Sequence, residues 1–475
     1  MKQLDNEKIS QNKMGTMPVG KLITRMSLPA MFSMIINALY NIIDSIFVGM
    51  IGEHALAAVT LVFPIQMLLI SLGVGTGIGL NSLISRRLGE RNFTKANSAA
   101  SHGILIAIAN WVVFAIFGLF FSASFIKSFS DNPDIIADGS SYGFIISVFS
   151  IFIMIHISAE KILQATGNMV LPMICSLVGA TTNIILDPIL IFGLLGAPEM
   201  GVTGAAVATV IGQFIGMSLC LFFLFFKEHE VKINLRNFRI DWLVLKDIYS
   251  VGLPSIIMQS IGSVMLIGLN AILIAFSEAA VAVLGVYFRL QSFIFMPVFG
   301  LVQGLMPIMG YNYGAKNKKR LMEAFKLGLK MAIIIMLIGM IIFQIFPVQM
   351  LKLFSASPEM LRIGTNALRI ISTCFVFAAI GIIASTLFQA MGYGFFSLFI
   401  SVLRQIVIIL PLAWIFARFT EVAYVWLAFP LAELFSLTAS ILLLRYIYNK
   451  EIKNLGKNNI DHTQQSIQTI TEVIE

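Results

Sequence analysis

The chain has 475 residues, of which 58% are hydrophobic and only 12% charged. A soluble globular protein carries about 25% charged residues, so this composition excludes a soluble enzyme, and with it disorder, collagen and coiled coil. The net charge of +8 reads as membrane topology rather than as a nucleic-acid footprint.

The first 25 residues are polar, with no apolar core before Leu28, so no secretory signal is expected. Residues 1–23 are predicted to form a cytoplasmic tail. About 20 apolar residues span a bilayer core, and twelve such stretches follow. Their approximate limits are 24–50, 55–83, 96–121, 138–163, 168–193, 202–226, 248–275, 280–308, 321–346, 362–390, 394–417 and 422–447. They are too long and too evenly apolar for barrel strands, so helices are expected. The polar stretch 227–247 is predicted to be a cytoplasmic linker between an N-lobe (24–226) and a C-lobe (248–447), and 448–475 a cytoplasmic tail.

Most of the 32 Lys and Arg residues fall on one side of this map. They include Arg86, Arg87, Arg91 and Lys95 in the second loop and Lys316 to Arg320 in its counterpart, with Lys161 and Arg404 placed near inner helix ends. By the positive-inside rule both termini are cytoplasmic. Arg289 is the one basic residue expected within a span.

Shifted by 225 residues, the chain overlays itself. Leu28-Pro29 falls on Leu253-Pro254, Gln66 on Gln291, Gly75 and Gly79 on Gly300 and Gly304, and Gly89 on Gly314. The register holds without a gap to Gly167, over Gly392. Six spans per half is an even number, so the repeats are parallel and related by an axis along the membrane normal, as in alternating-access transporters.

Ionisable residues inside spans are candidate functional groups, because charge there is costly. Asn183 and Asp187 are four residues apart and share a helix face. Pro188 has no N–H for the carbonyl of Ile184. A carboxylate, an amide and a freed carbonyl suit Na+, and a desolvated carboxylate also suits H+. Asn37, Asn41 and Asp44 form a polar stripe with Tyr40 beside it, expected to face the bundle interior. Asp187, Asn183 and Asp44 are therefore the candidate cation-coupling residues and Na+ ligands. Asn37, Tyr40, Asn41, Gln66, Glu160, Gln291 and Glu433 are candidate residues of a substrate cavity, with Phe32, Phe63, Met258 and Phe288 as weaker candidates. His156, one turn from Glu160, reads as a core histidine. Cys175, Cys220 and Cys374 stand apart in apolar runs, with no CxxC pair, and read as buried small hydrophobes. The glycine run from Gly73 lacks GK[ST] and reads as close helix packing.

Several strings carry a family resemblance: the SLP at Ser27, YNIIDSIFVG from Tyr40, LGERN in the second loop, QATGN from Gln164, NIILDPILIFG from Asn183, GVTGAAVAT from Gly201 and YNYGAKN in the second half. Over about residues 20–450 the chain resembles the multidrug and toxic compound extrusion (MATE) family, in particular MepA-type members of its DinF-like branch. The resemblance implies an all-α integral membrane protein with twelve transmembrane helices in two pseudo-symmetric six-helix bundles, arranged as a V. It implies a monomeric antiporter of the bacterial cytoplasmic membrane that exports organic, often cationic, drugs against Na+ or H+ entry, with no cofactor. It also implies a coupling role for the aspartate at 187. Spans seven and ten lack the interior acids that the NorM-like branch uses, which leaves coupling to the N-lobe. The alternative within the superfamily is a lipid-linked oligosaccharide flippase, which is expected to carry more basic residues in its cavity. Catalytic pairs of an intramembrane enzyme are not evident.

Overall fold

The structure is a computed structural model and describes residues 12–227, 229–234, 238–419 and 421–456. Lys2, Lys8, Arg236 and Lys457, basic residues of the segments predicted to be cytoplasmic, lie outside these residues, as does most of the predicted C-terminal tail.

Every element among the described residues is helical. A short α1 (Lys13–Thr16) leads into α2 (Val19–Ile51), α3 (Glu53–Gly89), α4 (Phe93–Phe120) and the short α5 (Ser122–Lys127). The first half closes with α6 (Pro133–Val148), α7 (Ile151–Ala165), α8 (Val170–Phe192) and α9 (Gly201–Phe226). The second half repeats this order. It runs through α10 (Trp242–Leu273), α11 (Glu278–Gly314), α12 (Lys318–Ile345), α13 (Pro347–Lys352), α14 (Pro358–Ser372) and α15 (Phe375–Met391). It ends with α16 (Gly394–Val402), a π-helical stretch Leu403–Ile409, α17 (Leu410–Phe419), α18 (Val422–Val425), α19 (Ala428–Ile447) and a second π-helical stretch Tyr448–Ile452. Ten helices or unbroken helical runs are long and apolar enough to cross a bilayer, and the pairs α6/α7 and α14/α15, bent by 43° and 48°, bring the number to twelve. The sequence places the fourth and tenth spans correctly but does not reveal these bends.

The repeat reaches down to single backbone groups. Asn92 caps α4 through a bond from the Lys95 amide at 3.1 Å, and Asn317 caps α12 through one from Arg320 at 3.1 Å. A capping amide satisfies donors that the first helical turn leaves open. Arg91 and Lys316, just before these caps, both take positive φ (56° and 54°).

The two halves meet along α3 with α10 and α11 with α2. A Cβ on Gly75 would stand 2.7 Å from the backbone nitrogen of Ile256, and one on Gly300 2.6 Å from that of Met31. Glycine is required here because the facing backbone occupies the space of a side chain. Hydrogen bonds follow the same seam. Ser27 Oγ donates to the Leu301 carbonyl at 3.3 Å, and Ser82 Oγ to that of Gln389 at 2.5 Å. These contacts all fall on the half of the spans nearest the chain ends, and the lobes splay toward the other side as arms of a V.

The segment before α2 lies across this closed end. Asn12 Nδ2 donates to Glu230 of the linker at 2.8 Å and to the Thr166 carbonyl of the first half at 3.3 Å. The Met14 carbonyl accepts from Asn312 Nδ2 at 3.1 Å and Arg320 Nη2 at 3.0 Å, both in the second. Met14 itself is fully buried.

Candidate functional site

Two regions stand out, a polar cluster inside the N-lobe and a cavity bordered mainly by the C-lobe. In the N-lobe, α8 carries Asn183 and Asp187 on its buried face, 2% and 0% exposed. Asn183 Nδ2 bridges Asp187 Oδ1 at 3.2 Å and Thr209 Oγ1 of α9 at 3.3 Å. Asp44 of α2 brings its carboxyl group close to that of Asp187, and the Tyr40 hydroxyl lies beside Thr209. Next to them, Gln66 Nε2 donates to the hydroxyl of buried Tyr142 at 3.1 Å.

This cluster has more acceptors than donors. Asp44 Oδ1, Asn183 Oδ1 and Asp187 Oδ2 are all buried and take no hydrogen bond. α8 continues through Pro188 to Phe192, and Pro188 cannot donate to the Ile184 carbonyl. Buried acceptors without donors are costly, and two facing carboxylates cannot both remain bare and ionised. The donor set, hard oxygens from two acids and an amide, fits a small cation or a proton.

The polar stripe on α2 divides. Tyr40 and Asp44 fill the space toward α8 and α9. Asn37 and Asn41 are exposed, and Asn41 Nδ2 turns back to the Asn37 carbonyl at 2.8 Å. The expectation that the whole stripe faces the bundle interior is corrected for these two. Tyr40 and Asp44, on the neighbouring face of α2, already occupy the interhelical space. Thr209 and Tyr142 were not singled out from sequence; Thr209 ends the GVTGAAVAT string, whereas Tyr142 carries no comparable signal.

The second region is a cavity of about 820 Å³ on the C-lobe side of the cleft. Of the candidate substrate-cavity residues, Gln291, Glu433, Met258 and Phe288 border it, whereas Asn37, Tyr40, Asn41, Gln66, Glu160, Phe32 and Phe63 do not. At its N-lobe edge Lys161 Nζ lies 2.9 Å from Gln164 Oε1 and 3.4 Å from both Glu160 and Gln303 of α11. Gln164 Nε2 also donates to Glu160 Oε1 at 2.6 Å. Glu160 thus acts behind the wall, on two residues that reach the cavity.

Arg404 is the main correction. It does not sit at an inner helix end but lies within the π-helical stretch, borders the cavity and pairs with Glu433 of α19 at 2.7 Å. Arg289, the basic residue expected within a span, lies on α11, where it is exposed and does not border the cavity. His156 is buried as expected, but its Nε2 takes no hydrogen bond. The three cysteines are free and buried.

Comparisons with known proteins agree with this architecture. The MatE family model matches residues 29–189 and 254–415, one match in each half. The multidrug export protein MepA of Staphylococcus aureus is 28% identical over 429 residues, covering 90% of this chain and 93% of its own. MepA of Staphylococcus haemolyticus is 26% identical over 375 residues, covering 79% and 82%. Among solved structures, an outward-facing conformation of a multidrug resistance MATE family transporter of the MOP superfamily has a TM-score of 0.86 at 30% identity, covering 94% and 99%. A MOP superfamily transporter from Pyrococcus furiosus, reported with reversed polarity of its binding pocket, has a TM-score of 0.86 at 29% identity, covering 94% and 98%.

Proposed function

Since the chain belongs to the MatE family, we propose that it is a secondary antiporter of the bacterial cytoplasmic membrane, exporting organic and often cationic compounds in exchange for Na+ or H+. The observation that carries this reading is the facing pair Asp44 and Asp187, each with a buried oxygen that accepts no hydrogen bond. A pair of carboxyl groups in this state gains from taking up one cation or one proton, and releasing it restores the cost. That cost is what an antiporter can couple to a change of shape.

With the basic loops on the cytoplasmic side, the closed end of the V faces the cytoplasm and the cleft opens outward. Entry of the ion at Asp44 and Asp187, Asn183 supplying an amide oxygen, removes one negative charge from the pair. That change alters how α2 and α8 pack, and α2 also forms the seam with α11. An ion bound on one side and a drug bound on the other then favour opposite arms of one cycle.

The flippase alternative would need a basic cavity. Lys161 and Arg404 do border the cavity, but Glu160 and Glu433 stand against them, which favours small organic substrates over a pyrophosphate-linked lipid. The test is ethidium efflux in everted vesicles carrying the chain, with Na+ and pH gradients imposed separately. One of the two gradients is expected to drive efflux. No efflux under either gradient would overturn the antiporter reading.

A further inference from the structure

The cavity and the ion cluster are separate. Among its lining residues only three are charged, Lys161, Arg404 and Glu433. Asp44 and Asp187 do not border it. A lone organic cation entering this space therefore meets no uncommitted carboxylate: Glu433, with its side chain 9% exposed, is held by Arg404 Nη1 at 2.7 Å. The Arg404 side chain is the more open partner, at 26% exposed.

Elementary electrostatics decides what such a pair accepts. To bind Glu433, a simple cation must displace the guanidinium and leave it uncompensated in a largely apolar cavity, which removing one partner of a buried pair makes costly. Lys161, at the N-lobe edge of the cavity, is itself paired with Glu160 at 3.4 Å, and this pair offers a cation no free carboxylate. A molecule that carries both signs avoids this cost. Its cationic group meets Glu433, its carboxylate meets Arg404, and every charge keeps a partner. The walls beside the pair fit the rest of such a molecule. Tyr287 packs edge-on against Phe288 and Phe429, with ring centroids 5.2 and 5.9 Å apart, and all three border the cavity. Gln291 and Gln405 add neutral polar contacts. A volume of about 820 Å³ lies in the range of sites for drug-sized ligands.

We infer that Arg404 and Glu433 form the charge-selecting element of this cavity, and that it prefers amphoteric aromatic compounds, bearing one carboxylate and one cationic nitrogen, over simple organic cations. This deepens the transport reading and rests on it for the fate of the bound compound, though the selectivity itself is a binding property. The pair is opened by the ligand and closes again when the ligand leaves, so no charge is left alone in either state.

The probes are a rhodamine free acid, amphoteric at neutral pH, and its methyl ester, a simple cation with the same aromatic body. Fluorescence anisotropy with the purified full-length chain gives both Kd values. The acid is expected to bind about tenfold tighter than the ester, the difference lying in one charge pair. Arg404→Gln frees Glu433 and is expected to erase that preference by tightening the ester and weakening the acid, while Arg404→Lys keeps its direction. Equal binding of the two dyes by the wild type, no binding of either, or an unchanged ratio in Arg404→Gln would overturn the inference. If Arg404→Gln fails to fold, the wild-type ratio alone decides. Gradient-driven efflux of both dyes, followed in vesicles, separates the two claims. Transport without preference sinks the selectivity and leaves the antiporter. Preference in binding without gradient-driven transport sinks the antiporter and leaves the selectivity.

Discussion

Gly89 lies against the backbone carbonyl of Tyr311, too close for any side chain, and its repeat partner Gly314 lies in the same way against the carbonyl of Arg86. The two contacts exchange under the 225-residue shift, as a two-fold axis between the lobes requires. They sit at the end of the seam that closes the V. The nearby bridge from Arg87 to Asp247, at 3.0 Å, is partly exposed, and such a pair adds only a modest amount to it.

This seam predicts a conformational effect. Gly89→Ala and Gly314→Ala each force a methyl group into facing backbone, an overpacking that costs about 1–3 kcal/mol in the closed-end state only. Spin labels at the ends of α3 and α11 nearest the termini should show longer distances in both variants, by similar amounts. Unchanged distance distributions would refute the seam as the closure.

The register of this seam was legible in the sequence because glycine and proline positions cannot drift without a clash or a lost bond. The twelve spans were legible from length and apolarity. The bends at residues 149–150 and 373–374 were not, since neither carries a proline or glycine in its break. Arg404 was misplaced because ten residues into a span an arginine can be read as reaching back to the interface. Its partner lies 29 residues away on another helix, and such pairing is set by tertiary packing. The Asp187 motif was visible because Asn183, Asp187 and Pro188 fall within two turns of one helix, whereas Thr209 and Tyr142 join it only through the fold.

The segment at the closed end predicts local protection. Arg320 Nη2 donates to the carbonyls of Met14 and Met17 at 3.0 and 2.6 Å, and Nε to Asn312 Oδ1 at 3.3 Å. Hydrogen bonds from a charged group are worth about 1.5–3 kcal/mol each. Arg320→Ala should speed proteolysis and amide exchange around residues 12–18 without unfolding α12. Equal exchange in both proteins would mean that other contacts hold the segment.

Pro188 predicts a coupling effect. Pro188→Ala returns an N–H to α8, which can take the Ile184 carbonyl back into the helix. Drug binding in the distant cavity should stay unchanged, while gradient-driven export falls about tenfold if that carbonyl helps hold the ion (~1.4 kcal/mol). Full export in this variant would remove the carbonyl from the site.

Asp44→Asn is expected to weaken coupling more than expression, because asparagine fills the same space beside Asp187 but cannot ionise. Drug-dependent release of the ion from the purified chain should fall, while the amount of folded protein in the membrane stays close to wild type. Unaltered ion release would restrict Asp44 to a packing role.

The most direct measurement is gradient-driven export by Asp187→Asn in sealed proteoliposomes, set beside dye binding by the same protein. An asparagine oxygen can still accept the bond that Asn183 Nδ2 makes at 3.2 Å, so folding and binding in the C-lobe cavity should persist. Export driven by the ion gradient should vanish. Export at the wild-type rate would contradict the assignment of the coupling ion to this carboxyl pair.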